Sequence, residues 1–102
     1  METKATDIIE IADFEGLLNQ QIDIRFSNEV ILPAKLIEVT TLGGYSPLER
    51  NPFSIIVRTE QKTEYYQQGT YIMLHPSIGN IYIFFVPLGM DKEGMKYEAI
   101  FS

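Results

Sequence analysis

The chain carries one histidine, no cysteine and fourteen carboxylates, and that inventory narrows the available chemistry before any fold is drawn. His75, followed by Pro76 at the end of a β-rich run, has the side chain of a general base or of a single metal ligand. A second histidine and a thiolate are both missing, so no His- or Cys-based metal cluster can be assembled. The plainer reading is a turn residue whose imidazole bonds to nearby backbone. Glu38, Glu60, Glu64 and Glu98 fall near predicted strand ends, where a carboxylate pair of the glycosidase type would sit. Their spacing selects no one pair, and a solvated acidic face accounts for them. Asp91-Lys92-Glu93-Gly94, with Glu98 beyond, has the flavour of a calcium loop but lacks oxygen ligands at five or six alternating positions. A hairpin loop with Gly94 at positive φ is sufficient. Gly43-Gly44 has neither a phosphate-loop pattern around it nor a helix start after it. No serine sits in a nucleophile elbow. The chain is therefore expected to be non-enzymatic and to need no cofactor or metal.

The tyrosines are better candidates. Tyr45 and Arg50 lie in a long loop over residues 41–52, and Tyr65, Tyr66 and Gln67 lie in a polar stretch over residues 60–69. A loop tyrosine is an amphipathic anchor of the kind found at protein interfaces and on sugar-binding surfaces. These five residues form the candidate interaction surface. The competing reading is that a ring of each group folds back as a lid on the core.

The elements that would hold such a surface are mostly strands. Ile22, Ile24 and Phe26 alternate with Asp23 and Arg25, which predicts a half-buried strand. Residues 30–40 form a longer strand, with Pro33 at an edge position or a bulge. Phe53, Ile55 and Val57 alternate with Ser54, Ile56 and Arg58, and three more strands are predicted over residues 70–74, 80–86 and 96–101. Residues 81–86 are apolar at both parities, so both faces of that strand need cover and its place is central. Pro87 is read as its end. Ahead of the strands, Ile8, Ile11, Phe14, Leu17 and Leu18 draw one stripe on a helix. Gly16 shortens it, to about residues 12–19. Thr6, Asp7, Asp13 and Glu15 are its candidate caps. The expected fold is all-β, a small antiparallel barrel or sandwich of about six strands with one short N-terminal helix. The helix either plugs a barrel end or covers a face of residues 81–86.

At 102 residues the chain is one domain with a single core, residues 1–6 being expected to be disordered. Its formal charge of −6 repels phosphate backbones and anionic lipid, and no basic patch offsets it. Nucleic acid and membrane are therefore not expected partners, whereas a protein partner is. Homo-oligomerisation stays open, because the apolar faces of residues 81–86 are as compatible with a dimer interface as with helix cover. The N-terminus has no cationic segment ahead of an apolar run. The protein is read as cytoplasmic when synthesised, with incorporation into a larger particle left open.

A wider set of residues resembles a family of small uncharacterised bacterial domains of about 100 residues, often encoded beside phage-tail-collar-like proteins. Its carriers are Phe14-Glu15-Gly16-Leu17-Leu18 with Gln21, Leu36-Ile37-Glu38-Val39 and Pro52-Phe53-Ser54-Ile55-Ile56-Val57-Arg58. They continue through Gln68-Gly69-Thr70-Tyr71, Leu74-His75-Pro76, Ile78-Gly79, Phe85-Val86-Pro87-Leu88-Gly89, Asp91, Gly94 and Tyr97-Glu98-Ala99-Ile100-Phe101. The resemblance implies a compact β fold and a part in a phage-tail-like or secreted particle, and it brings no catalytic residue. The expected function is a structural or adaptor domain that binds another protein. The alternative is a small-ligand or carbohydrate-binding module using the loop tyrosines.

Overall fold

The computed structural model describes residues 9–43 and 52–101. It contains one short helix, α1 (Ala12–Glu15), and six strands: β1 (Gln21–Ser27), β2 (Val30–Thr41), β3 (Phe53–Thr59), β4 (Gly69–His75), β5 (Gly79–Asp91) and β6 (Gly94–Phe101). All pairings are antiparallel, and the strands close into a barrel in the order β1-β2-β3-β6-β5-β4. The choice between barrel and sandwich is thus settled for the barrel. The closing seam is thin: β1 and β4 share three residue pairs, Asp23–Leu74, Ile24–Met73 and Arg25–Ile72.

Strand alternation builds the core directly, because successive side chains point to opposite faces. Ile22, Ile24 and Phe26 of β1 point inward, as do Phe53, Ile55 and Val57 of β3, Ile81, Ile83 and Phe85 of β5, and Tyr97, Ala99 and Phe101 of β6. The barrel has two mouths, each stoppered differently. At one, α1 inserts Phe14, whose ring lies 6.0 Å from Phe53 and 5.6 Å from both Phe101 and His75. The helix therefore plugs a barrel end and does not cover β5. It is also shorter than the stripe suggests, since residues 16–19 continue only as turns and Asn19 takes φ 67°. That reversal lets the Asn19 N–H donate to the Leu36 carbonyl at 2.7 Å and feeds the chain into β1. Asp13 Oδ2 accepts from the Glu10 N–H at 2.8 Å, one residue ahead of the N-cap Ile11, so neither Asp13 nor Glu15 caps the helix itself. Thr6 and Asp7 lie outside the described residues.

β5 does not stop at Pro87 but runs on to Asp91. The strand changes partner there: it pairs with β4 up to Phe85–Gly69, then with β6 from Val86–Glu98 onward. Pro87 stands just past the β4 ladder, so its missing N–H takes no bond from β4. Pro33 occupies the matching place on β2, one residue before the β3 ladder begins at Ala34–Thr59. Each of these two long strands also carries a bulge, at Ile37 between Leu36 and Glu38 and at Leu88 between Pro87 and Gly89. A bulge bends its strand and raises the local twist, and a six-strand sheet needs such bends to close on itself. Proline was thus legible as a special position, but the partner change that tolerates it was not.

Candidate functional site: the strap across the second mouth

The second mouth is crossed by residues 60–68, which form no regular structure and are tied down by a chain of hydrogen bonds. The chain starts at Tyr97, fully buried, whose hydroxyl donates to Gln61 Oε1 at 2.7 Å and accepts from the Tyr66 N–H at 2.9 Å. Thr59 Oγ1 donates to the same Gln61 oxygen at 2.9 Å. Lys62 Nζ donates to the Lys92 carbonyl at 3.0 Å, and Tyr71 OH donates to the Gln67 carbonyl at 2.5 Å. The strap is therefore fastened at both ends and in the middle. Burial pushes the Tyr97 phenol above the ordinary tyrosine range, and burial, followed by the neighbouring Tyr66, does the same to Tyr71.

Beneath the strap lies an aromatic cluster. Tyr66 stacks on Phe26 with centroids 4.6 Å apart and planes 9° from parallel, while Tyr71 and Tyr97 lie 4.9 and 5.3 Å from Phe26. Tyr66 is thus a lid on the core. Its neighbour Tyr65 points the other way and is 58% exposed. Gln67 is exposed, with its backbone carbonyl held by Tyr71. Tyr45 and Arg50 lie outside the described residues. The structure therefore separates the adjacent tyrosines into a core member and a surface member, a distinction invisible in an irregular segment that has no period.

Tyr65 borders an open groove of about 410 Å³ whose other walls are Thr63, Pro87, Leu88, Gly89, Met90 and Met95. The Leu88 bulge builds this groove: the extra residue re-aims a leucine that is 46% exposed, next to Met90 at 39%. Met95, directly paired with Met90, supplies a buried floor. On the other flank of the strap a second groove of about 370 Å³ runs between Val30, Leu32 and the strap residues Gln61, Lys62, Thr63, Glu64 and Tyr66. The strap is thus a ridge between an apolar trough and a mixed polar one. Nothing in the sequence marks Leu88, Met90 and Met95 as a surface, because they fall between the strands expected over residues 80–86 and 96–101.

His75 and the turn over residues 91–94 are held by backbone groups and by Arg58. His75 is buried, and its Nε2–H donates to the Asp13 carbonyl at 2.6 Å. Its Nδ1 accepts from the N–H groups of Ser77 and Ile78, both at 3.1 Å, which assigns the tautomer. The imidazole thus joins the β4–β5 turn to the helix plug, the turn role expected of it. Asp91 Oδ1 accepts from the Glu93 and Gly94 N–H groups at 2.8 and 3.0 Å, and Arg58 reaches Asp91 Oδ2 at 3.3 Å and Glu93 Oε2 at 2.9 Å. Those contacts, the Glu93 N–H foremost, hold the Asp91 carboxyl below the usual range. Residues 91–94 form a tight hairpin turn in which Gly94 has φ 155°. Among the described residues no three His, Asp or Glu side chains are grouped to hold a metal ion, and no helix is long and apolar enough to cross a membrane.

Together these features define a class: a small closed six-strand barrel, plugged by a helix at one mouth and strapped at the other beside an apolar groove. Residues 9–101 match the family described as Domain of unknown function (DUF6916), and the chain belongs to that family. No curated protein and no solved structure matches the chain.

Proposed function

We propose that the protein is a non-enzymatic adaptor that binds another protein through the Tyr65 groove. The observation that carries this reading is the combination of an exposed tyrosine with Leu88, Met90 and Met95 on a frame fixed by hydrogen bonds. Aromatic and methionine side chains are enriched at interface centres, and a preorganised groove spares a partner the cost of ordering it. The partner is a protein segment that offers apolar side chains to the trough and polar ones to the Lys62–Glu64 flank. Its setting is the one implied by the family resemblance, a phage-tail-like assembly in a bacterium, with the domain made in the cytoplasm. A carbohydrate module has less to stand on, because the Tyr66 face is already occupied by Phe26, which leaves Tyr65 as the one free platform among the described loop tyrosines.

The test is a pull-down from host lysate with the tagged domain, repeated with Tyr65→Glu and Leu88→Glu. Both side chains are exposed, so both variants keep the wild-type melting temperature within a few degrees. A stoichiometric protein held by wild type and lost from both variants is the expected result. Retention by both variants would refute the reading, as would a glycan that quenches wild-type tyrosine fluorescence while no protein is captured.

A further inference from the structure

The barrel meets only half of the demand made by residues 81–86. Ile81, Ile83 and Phe85 enter the core, but Tyr82 and Phe84 face outward and are each 53% exposed. α1, the one helix among the described residues, is spent on the barrel mouth. Neighbouring strands extend the uncovered surface. Ile72 of β4 stands directly opposite Tyr82. Ile100 of β6, 63% exposed, lies two residues past the Val86–Glu98 pair, and Phe84 lies two residues before it. Phe84 and Ile100 therefore flank the line along which β5 and β6 part.

We propose that this outer face of β4, β5 and β6 is an interface with a second copy of the chain, formed about a two-fold axis. Half-exposure leaves about 100 Å² on each aromatic ring, so Tyr82, Phe84, Ile100, Ile72 and Val86 together present roughly 400–500 Å² of apolar surface. Two such faces joined, with their rims, bury about 1,000 Å², the lower bound for a specific interface. An isologous contact needs only one patch, the same on both copies. Its borders carry charges of both signs, Arg25 beside Ile72 on one side and Glu98 beside Val86 on the other, so an axis running along β5 sets no like-charged rim against its mate. The patch adjoins the Tyr65 groove at Val86 and Pro87 but shares no residue with it, so the dimer does not depend on the adaptor reading.

Sedimentation velocity over about 5–500 μM tests the proposal, because an interface of this size associates in the micromolar range. Wild type is expected to pass from monomer to dimer across that range. Phe84→Lys and Ile100→Lys are expected to remain monomeric throughout, with association weakened at least about 100-fold, while Tyr65→Glu dimerises like wild type. A wild type that stays monomeric at the highest concentration overturns the proposal. So does a dimer that survives both lysine variants or is lost in Tyr65→Glu. A heterologous protein captured through Phe84 in place of a second copy also overturns it. Should the lysine variants fail to fold, the absence of native cysteine allows a second reading from Tyr82→Cys and Phe84→Cys. Oxidation is expected to yield covalent dimer in at least one of them, and none in either overturns the proposal.

Discussion

Gly94→Ala is the most exacting perturbation this barrel offers. Gly94 opens β6 and packs under the point where β3 gives way to the strap. A Cβ built there lies 1.7 Å from the Thr59 carbonyl oxygen, 2.8 Å from its carbon and 3.3 Å from Glu60 Cα. Ordinary contact begins at 3.4 Å, so backbone must retreat by about 1.7 Å, and no flexible side chain can yield in its place. The φ of 155° adds strain for any residue with a Cβ. Overpacking costs about 1–3 kcal/mol and backbone strain a similar amount, giving an expected loss of about 3–5 kcal/mol. For a domain of this size that is a fall in melting temperature of at least about 12 °C. Thermal unfolding followed by circular dichroism measures it. Limited proteolysis should show earlier cleavage within residues 60–68, because the displaced backbone carries the strap. Gly16→Ala is the control: Gly16 has φ −75° and nothing within 4 Å of the added carbon, so its change is neutral or stabilising by up to about 1 kcal/mol. A Gly94→Ala protein that melts within about 3 °C of wild type would refute the reasoning.

Two further predictions concern the stoppers of the mouths. His75→Ala leaves the Ser77 and Ile78 N–H groups without their acceptor and the Asp13 carbonyl without the imidazole, and it removes the ring edge packed on Phe14. Urea unfolding should show a loss of about 2–4 kcal/mol, and a loss under about 1 kcal/mol would mean the turn and plug are not joined through this ring. Tyr97 supplies the alkaline counterpart. Its folded-state phenol titrates above the unfolded value of about 10, so its contribution is whole below that pH and is lost as pH rises through the folded value. Wild-type melting temperature should therefore fall above about pH 10, and Tyr97→Phe should fall less steeply, with a residual slope from Tyr71. Equal slopes would remove Tyr97 from the account.

Much of the barrel was legible because period-two burial is written in residue types. Ile22-Ile24-Phe26 and Phe53-Ile55-Val57 declare their strands and their inward faces without reference to any partner. Closure was not legible, since it depends on Asp23–Arg25 meeting Ile72–Leu74 across a long stretch of chain, and alternation encodes facing but not pairing. The length of β5 was hidden for a related reason. Pro87 ends a strand flanked by the same neighbours throughout, but not one that changes neighbours at that residue. At the site, the Tyr65 and Tyr66 side chains diverge because Tyr97 fixes the backbone N–H of one of them. That restraint comes from a residue thirty-one positions away.

The three-pair seam between β1 and β4 has a consequence for how the molecule comes apart. A closed barrel offers no strand edges to other chains, and here that protection hangs on the shortest ladder in the sheet. Local opening at Asp23–Arg25 would leave the other five ladders standing and convert the barrel into a curled open sheet with two fresh edges. One of those edges carries Ile72 and Leu74 beside their unpaired backbone. Amide exchange should be fastest, among inward-bonded strand residues, along this seam, and conditions that accelerate it should be those in which the protein begins to aggregate.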